Sequence, residues 1–241
     1  ILIPARLAAS RLPRKPLLKI NGVSLINHMY KIAQKVSPGN AFVVTGDIEI
    51  YEEVINNSGK CILTLKNHKT GTDRIFEGFQ KFNKNKYRYV LNLQGDEPLI
   101  NINDIKRLIK NISSNDYQMC TLACKFKNKN SYLNKNIVKV ITDKEIKYGK
   151  ISKANNFKRV LNNEKNKNIY HHIGEYIYKK ETLAKIVSLP QTRNEKKFKL
   201  EQLRALENKI TVGVCLAKQI PIGVDTKEDF NKVKKILELN N

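Results

Sequence analysis

The sequence lacks several features that would assign a protein to a class at once. It contains no run of about 18 apolar residues, so no membrane-spanning helix is encoded. No CxxC pair occurs among its cysteines, so a structural zinc site is not expected. Neither a Walker loop nor the glycine-rich dinucleotide fingerprint is present. Membrane proteins, zinc-stabilised domains and the common glycine-loop nucleotide binders are therefore not indicated.

The four cysteines, Cys61, Cys120, Cys124 and Cys215, show no disulfide pattern. Cys120 and Cys124 fall in a segment that alternates like a strand, where their spacing is about 13 Å, too far for a disulfide. We expect buried free thiols in a reducing compartment. The chain opens on Ile1 with a strand-like ILIPA and no signal-peptide pattern, so we expect a few preceding residues and a cytoplasmic location.

Acidic residues are scarce beside basic ones: 22 Asp and Glu face 45 Lys and Arg, which gives a formal charge of +23. A clustered excess of this size would indicate a nucleic-acid-binding protein. Here the basic residues are spread along the chain, and the densest segment, 125–168, has few aromatics for base stacking. Lys, Asn and Ile are all abundant, as AT-rich codons would produce. We therefore expect neither a nucleic-acid nor a membrane partner, although a positive field would attract a polyanionic small substrate.

The first half of the chain alternates strand-like and helix-like segments within a length of 241 residues. Strands are predicted at 1–5, 41–45, 61–65 and 89–93. Helices are predicted from Ser24 to Val36, over 48–57 with Asp47 as cap, after 70–73 and around 105–112. This alternation predicts right-handed βαβ units and a mainly parallel sheet, with ligands beyond the carboxyl ends of its strands.

The second half is predicted to be richer in antiparallel strands. Strand-like segments fall at 118–125, 137–142, 146–152, 170–178 and 211–216. Helices are predicted near 180–188, near 195–208 and from Asp225 to about 239. The segment 153–169 has no clear period and is predicted to be a mobile loop. With no internal repeat or linker, we predict a single domain over 1–241, in which the antiparallel part is an insertion.

Three polar clusters carry the candidate chemistry. The loop 5–16 holds four cations, Arg6, Arg11, Arg14 and Lys15, which suit a triphosphate, although such a run is usually a solvated loop. Asp96, in QGDEP after the fourth strand, has the chemistry to hold Mg²⁺ with phosphate oxygens, or to sit in a turn. Asp225, in GVDT, reads on its own as an ordinary helix cap.

Taken together, these clusters resemble one family. The pattern A-R-x-x-x-S-R-L-P-x-K-P, then Q-G-D-E-P, then G-V-D-T-x-E-D is similar to 3-deoxy-manno-octulosonate (Kdo) cytidylyltransferases. Three further stretches agree in order, namely HKTGTDR at 68–74, HIGEY at 172–176 and LEQLR at 200–204. The match spans residues 1 to about 230; its first motif is shared with other sugar nucleotidyltransferases, and the later ones are more specific.

The resemblance implies a fold, a reaction and a set of site residues. The fold would be α/β, the Rossmann-like nucleotide-diphospho-sugar transferase fold, with a nucleotide part at about 1–115 and a sugar-binding and dimerisation part at about 116–210. The reaction would be CTP plus Kdo giving CMP-Kdo and pyrophosphate for lipopolysaccharide synthesis, by a cytoplasmic homodimer. Catalytic roles would fall to Arg6, Lys15, Asp96 and Asp225. Nucleotide contacts would come from Arg6, Arg11, Lys15, Thr72, Asp73 and Arg74. Mg²⁺ would be held by Asp96 and Asp225. Sugar contacts would come from Gln94, His172, Tyr176, Glu201 and Gln202.

Departures from the family pattern leave rivals open. Arg14 stands where the family often has a small or polar residue, and Lys153 stands where it usually has Arg. The nearest rival activity is a cytidylyltransferase for sialic acid, another nonulosonic acid or an amino-substituted Kdo. From a different class, a basic nucleic-acid-binding protein remains the alternative on charge alone.

Overall fold

The computed structural model describes residues 1–8, 11–82, 86–161 and 168–239. The chain divides into two compact units. Unit 1 comprises Ile1–Ile102 together with Pro221–Asn241, and unit 2 comprises Asn103–Ile220. The prediction of a single domain over 1–241 stays a prediction.

Unit 1 contains a parallel sheet. Its strands are β1 (Leu2–Ala5), β4 (Phe42–Thr45), β5 (Cys61–Leu63) and β6 (Tyr89–Asn92). They lie in the order β5-β4-β1-β6, and every pair is parallel. A separate hairpin joins β2 (Lys19–Ile20) to β3 (Val23–Ser24). Its turn is Asn21-Gly22, and both residues have positive φ, as two-residue hairpin turns require.

The helices of unit 1 follow the apolar spacing in the sequence. They are α1 (Leu25–Val36), α2 (Ile48–Asn56), α3 (Gly71–Lys81) and α9 (Lys227–Leu239), with a short 3-10 turn at Lys15–Leu17. On α1 the buried face carries Leu25, Ile26, Met29 and Ala33, at the spacing of one helix side. The helices α1, α2, α3 and α9 lie where the sequence analysis predicted helices, whereas the 3-10 turn was not predicted.

One apolar cluster of unit 1 fixes the ends of two distant segments. Leu12 from the first loop and Val224 from the segment before α9 are buried with Phe230 and Val233 of that helix. Because the two segments share this core, the polar residues next to Leu12 and Val224 are held at the same place.

Unit 2 is built on a closed ring of strands. They are β7 (Met119–Cys124), β8 (Lys139–Thr142), β9 (Ile151–Lys158), β10 (Ile169–Lys179) and β11 (Val212–Leu216). The order is β10-β7-β11-β9-β8, and β8 pairs back onto β10. Only the β7–β11 pair among the described ones in this unit is parallel. The mainly parallel sheet expected from the sequence is therefore found in unit 1. Taken together, the described strands form both parallel and antiparallel pairs.

The helices of unit 2 lie between these strands. They are α4 (Ile102–Ser114, whose first residue belongs to unit 1), α5 (Lys129–Leu133), α6 (Lys180–Ser188), α7 (Arg193–Phe198) and α8 (Gln202–Glu207). The single helix predicted near 195–208 is wrong, because Lys199 takes a left-handed conformation with φ 53° and ends α7. Two short helices result.

The predicted strand at 146–152 and the predicted mobile loop at 153–169 are also wrong. Strand β9 begins at Ile151 and continues to Lys158. The buried residues of this strand are Ser152, Ala154 and Phe157. Two of them are small, and the three are not evenly spaced. That pattern carries no apolar period, which is why the sequence concealed the strand. Residues 162–167 of the predicted loop lie outside the described residues.

All four cysteines are free, as expected, and three of them are buried. Burial raises the pKa of the Cys61 and Cys215 thiols to about 12. They are therefore poor nucleophiles at neutral pH. In the described part of the chain, no helix has the length and apolar character needed to cross a bilayer.

Candidate active site

A cavity of about 860 Å³ opens in unit 1 beside the ends of β1 and β6. Its wall is rich in cations and includes two carboxylates. The polar side chains that line it are Arg6, Arg11, Lys15, His68, Lys69, Thr70, Arg74, Gln94, Asp96 and Asp225. Parallel sheets bind ligands beyond the carboxyl ends of their strands, and the cavity lies at that place.

The ammonium of Lys15 bridges the two carboxylates of the cavity. Its Nζ lies 2.6 Å from Oδ2 of Asp96 and 3.5 Å from Oδ1 of Asp225. The Lys15 side chain is only 15% exposed, so the first contact is partly shielded from water. Arg11 adds a second cation, with its Nη2 3.2 Å from Oδ2 of Asp225. Residues from three distant parts of the sequence thus converge on one point.

Backbone contacts explain how Asp225 reaches this point. The amide of Val224 donates to the carbonyl of Asp96 at 2.9 Å, which sets the two segments side by side. The start of α9 is capped by Thr226 and Asp229 instead, since each side chain accepts the other's amide. The interpretation of Asp225 as the helix cap is therefore wrong, and its carboxylate is directed to Lys15 and Arg11.

The two carboxylates fit a hard divalent cation. Both are oxygen donors, and both reach the same ammonium, so they converge where a cation sits. Among the described residues no group of three or more His, Cys, Asp or Glu side chains has metal-binding geometry. Mg²⁺ commonly takes one or two carboxylates and completes its shell with water and substrate phosphates, so this pair suits it.

Asp47 holds the first loop, a role the sequence analysis missed. It was predicted to cap α2, but its side chain makes no cap hydrogen bond there. Its Oδ2 instead accepts the amide of Leu7 at 2.8 Å. The carboxylate therefore ties the loop that follows β1 to the end of β4, next to the cavity.

Arg14 lies in the same loop and takes a left-handed conformation, with φ 56° and ψ 23°. That conformation favours glycine, so Arg14 is strained at this position. The Arg14 side chain forms an exposed ion pair with Glu49 on α2. The extra cation is thus turned to an acidic neighbour, and Arg14 does not line the cavity.

The predicted nucleotide residues Thr72, Asp73 and Arg74 lie at the start of α3, and two of them have structural partners. Asp73 forms a capping box with Thr70. The Arg74 guanidinium donates to the hydroxyl of Thr64 at 2.6 Å and to two carbonyls at 3.0 Å. Arg74 lines the cavity but is only 5% exposed, and Thr72 is buried beside it. Their nucleotide contacts stay a prediction.

His68 is a further cavity residue that the sequence analysis did not assign. Its Nε2 lies 2.5 Å from Oε2 of Glu77, and that carboxylate also accepts the amide of Leu65. Burial opposes ionisation of Glu77, but these hydrogen bonds and Lys81 keep its pKa below the usual value. His68 is the first residue of the motif at 68–74, so the sequence did mark it. Only the structure shows that it lines the cavity.

Gln94 and Gly95 lie beside β6 at the edge of the cavity. Gln94 donates to the side chain of Asn92 at 3.3 Å. Gly95 has no side chain, so another part of the backbone can approach it closely. The close approach is to the protein itself, because a methyl group on Gly95 would lie 3.0 Å from the carbonyl oxygen of Pro4.

The predicted sugar residues His172 and Tyr176 lie in unit 2 on β10. Their ring centroids are 5.4 Å apart, whereas four residues of regular strand span about 13 Å. A bulge explains the difference, since Ile173 pairs with Leu122 while Tyr176 pairs with the adjacent Thr121. Burial, with a smaller effect of His171, lowers the pKa of His172 to about 3, so the ring is neutral at physiological pH.

Tyr176 meets the other two predicted sugar residues of this unit. Together with Glu201 and Gln202 it lines a second, small cavity of about 20 Å³, which has room for one water-sized group and not for a sugar. Burial and the neighbouring Tyr178 and Glu201 raise the pKa of the Tyr176 hydroxyl, so it stays protonated.

A buried ion pair holds the helix that carries Glu201 and Gln202. Arg204 on α8 makes a bidentate contact with Glu195 on α7, at 2.9 Å and 2.5 Å. Arg204 also donates to the carbonyl of Ile186 at 3.1 Å, and both charged side chains are nearly fully buried. The L-E-Q-L-R motif thus combines two predicted sugar residues with the arginine that fixes their helix.

Proteins of known name are similar to this chain over nearly its whole length. The sequence model of the cytidylyltransferase family matches residues 1–220. A 3-deoxy-manno-octulosonate cytidylyltransferase of Bartonella henselae is 37% identical over 98% of this chain and 97% of its own. The enzyme of the same name from Rickettsia typhi is 35% identical over 100% of this chain and 97% of its own.

Solved structures are similar to this chain as well. A CMP:2-keto-3-deoxy-manno-octonic acid synthetase complexed with CTP superposes with a TM-score of 0.90 at 30% identity, covering 100% of this chain and 98% of that one. A 4-diphosphocytidyl-2C-methyl-D-erythritol synthase has a TM-score of 0.64 at 11% identity, covering 98% of this chain and 97% of its own. This second likeness concerns the fold alone.

Proposed function

This chain belongs to the cytidylyltransferase family, and we propose that it transfers CMP from CTP to the anomeric hydroxyl of Kdo. The anomeric oxygen forms a bond to the α-phosphorus as the hydroxyl loses its proton. The bond from the α-phosphorus to the bridging oxygen breaks, and pyrophosphate leaves with the electron pair. The products are CMP-Kdo and pyrophosphate.

The observation that carries this proposal is the convergence of Asp96 and Asp225 on the ammonium of Lys15. Phosphoryl transfer needs little covalent work from a protein, which supplies positioning and charge instead. A cavity with Lys15, Arg6 and Arg11 beside two carboxylates supplies both. The size of about 860 Å³ is in the range of nucleotide and cofactor pockets.

Within this site, the cations would bind the triphosphate. Lys15 and Arg11 now contact carboxylates, and CTP would offer them phosphate oxygens of higher charge. Arg6 is exposed on the cavity wall and would meet the same phosphates. Asp47 would keep the loop in position through its contact with the amide of Leu7.

Asp96 and Asp225 would hold Mg²⁺ once Lys15 turns to the phosphates. Bound there, the ion supplies positive charge that polarises the α-phosphate and lowers the pKa of an attacking hydroxyl. The two carboxylates would supply the protein's oxygen ligands, and Val224 would hold Asp225 in place through its hydrogen bond to the carbonyl of Asp96.

The sugar acid would be recognised by His172, Tyr176, Glu201 and Gln202, which all belong to unit 2. The family resemblance assigns a sugar contact to Gln94 of unit 1 as well. A neutral imidazole and a protonated phenol form hydrogen bonds with hydroxyls without repelling or trapping a charge. Kdo is chosen over sialic acid, other nonulosonic acids and amino-substituted Kdo because the relatives named above carry 3-deoxy-manno-octulosonate in their names. A nucleic-acid-binding role is not favoured, because nearly the whole chain matches enzymes of this name.

The cellular setting is part of the proposal. We place the enzyme in the cytoplasm, where CTP is made, and its product in lipopolysaccharide synthesis, which consumes activated Kdo. The four free thiols are consistent with a reducing compartment. We also propose a homodimer built on unit 2. In the single chain, Phe198 and Val160 of this unit are large apolar side chains with exposed fractions of 43% and 48%, which a partner subunit would cover.

The test is release of pyrophosphate from CTP with a panel of sugar acids and Mg²⁺. We expect Kdo to support turnover far better than sialic acid or amino-substituted Kdo. Light scattering at micromolar concentration tests the dimer separately. Release with another sugar acid in preference to Kdo would replace the substrate, and no release with any sugar would refute the activity.

A further inference from the structure

The bulge in β10 surrounds a single hydroxyl group. Residues Gly174 and Glu175 are the two extra residues, because one step on β7, from Leu122 to Thr121, corresponds to three steps on β10. Thr121 is fully buried at this point. Its Oγ1 lies 2.7 Å from the carbonyl oxygen of Glu175 and 3.0 Å from that of Ile173.

The same oxygen lies 3.0 Å from Nε2 of His172. A hydroxyl has one proton to donate and lone pairs to accept with. The carbonyls only accept, so the Thr121 proton is directed to them, and the shorter contact is to Glu175. Towards His172, Thr121 is therefore left as the acceptor, and Nε2 must carry the ring proton.

We propose that Thr121 is a positioning residue for sugar recognition: its hydroxyl fixes His172 as the Nε2–H tautomer, leaving Nδ1 as an acceptor for a ligand hydroxyl. The proposal rests on the proposed function, in which His172 faces the sugar. Burial keeps the ring neutral, so the second nitrogen has a lone pair.

The surroundings of the ring support this assignment. Phe157 packs edge-on against His172 with centroids 5.0 Å apart, and Tyr176 lies 5.4 Å away. These rings limit rotation of the imidazole. Within the described residues, Thr121 is the hydrogen-bond partner found for the His172 side chain, through Nε2. The other ring nitrogen of His172, Nδ1, does not belong to the group of buried polar atoms that lack a partner. A hydroxyl donor, the common group of a sugar, fits Nδ1.

The test compares Thr121→Val, which removes the hydroxyl at nearly constant volume, with Thr121→Ser, which keeps it. We expect Thr121→Val to lower kcat/KM for Kdo about tenfold, the loss typical of one buried hydrogen bond. Thr121→Ser should stay within about threefold of wild type. CTP affinity, measured by calorimetry without sugar, should not change in either variant.

Two further measurements separate positioning from a merely structural role. Long-range ¹⁵N–¹H NMR of the unmodified protein should show His172 as the Nε2–H tautomer, and Thr121→Val should shift it towards a mixture. Thr142→Val is the matched control, because Thr142 is a fully buried threonine on β8 whose hydroxyl donates to the carbonyl of Lys144 at 2.7 Å. It should keep the Kdo kinetics and the His172 spectrum.

The proposal is overturned if His172 is the Nδ1–H tautomer, or if Thr121→Val uses Kdo as well as wild type does. It is also overturned if Thr142→Val lowers Kdo use as much as Thr121→Val, since the loss would then be one of stability. Failure of the proposed function looks different. In that case the wild type would not turn over Kdo. The NMR spectrum would still show whether the Thr121 hydroxyl fixes the tautomer of His172.

Discussion

The Nζ of Lys15 lies 2.6 Å from Oδ2 of Asp96 and 3.5 Å from Oδ1 of Asp225, so one ammonium holds together two carboxylates. Without a cation between them, two carboxylates that reach the same ammonium would repel each other. Lys15 thus takes the place that a divalent cation would need. Binding of Mg²⁺ and of nucleotide is therefore expected to be coupled through this side chain.

The first prediction follows from that competition. Lys15→Gln should bind Mg²⁺ or Mn²⁺ about tenfold more tightly than wild type without nucleotide, because a competing charge next to the carboxylates is removed. The same variant should bind CTP more weakly. Calorimetry and Mn²⁺ paramagnetic resonance measure the two affinities, with Lys19→Gln, an exposed lysine of β2, as control. Unchanged metal affinity in Lys15→Gln would show that the ammonium does not compete.

The second prediction concerns the carboxylates. Asp96→Asn and Asp225→Asn should each lower kcat about a thousandfold or more, since each removes a ligand charge, and chelation of Mg²⁺ should abolish turnover. Circular dichroism should show an intact fold. Asp116→Asn is the control, because Asp116 is an exposed carboxylate paired with Lys179 and does not line the cavity, so turnover should stay near that of wild type. Near-normal turnover in either site variant would remove that residue from the metal site.

The third prediction divides the site by ligand. His172→Ala should lower kcat/KM for Kdo about tenfold to a hundredfold, because a hydrogen-bonding site loses a partner for a sugar hydroxyl. CTP affinity should barely change. Arg11→Ala and Lys15→Ala should show the opposite pattern and weaken CTP binding. The division is wrong if His172→Ala weakens CTP binding as much as Lys15→Ala does while Kdo kinetics are untouched.

The fourth prediction concerns pH and stability. The pKa of His172 falls to about 3 in the folded protein, below its ordinary value near 6.5. Between these values the unfolded chain binds the extra proton, so the free energy of unfolding should fall as the pH drops from about 6.5 towards 3. His172→Gln should reduce this dependence, as followed by urea unfolding at several pH values. An identical slope in wild type and variant would contradict the depressed pKa.

The fifth prediction concerns the buried ion pair behind the sugar residues. Glu195→Gln should destabilise the protein by about 3–5 kcal/mol, because it leaves the Arg204 guanidinium buried without a charge partner. Urea unfolding measures the change. Asp116→Asn breaks the pair with Lys179, in which Asp116 is almost fully exposed, and should leave the free energy of unfolding nearly unchanged. Equal changes in the free energy of unfolding would mean that burial does not make the Arg204–Glu195 pair more important for stability than an exposed pair.

Much of the fold could be predicted from local patterns. Helix α1 lies where its apolar spacing placed it, because its buried residues follow one helix face. Strand β4 was found from a continuous apolar run, which is typical of a strand buried on both faces. Strand β9 could not be predicted, since Ser152 and Ala154 are buried by their position in a closed ring and not by their hydrophobicity. The break at Lys199 was missed because its left-handed conformation has no glycine to signal it.

In the site, too, the sequence indicated the residues and the tertiary structure decided their contacts. Motifs indicated Lys15, Asp96 and Asp225, but side-chain chemistry alone left Asp225 as a helix cap. The core that buries Leu12 with Val224, and the bond from Val224 to Asp96, decided that this carboxylate meets Lys15.

By itself, then, the sequence determined the alternation of the main strands and helices of unit 1 and the residue types of the phosphate loop, because periodicity and charge are local properties of the chain. Only the tertiary structure decided which polar groups meet. Asp47 contacts Leu7, and Thr121 contacts His172, through pairings between strands and loops that are remote in sequence. A hydrogen bond depends on distance and direction in space, and no local pattern records either.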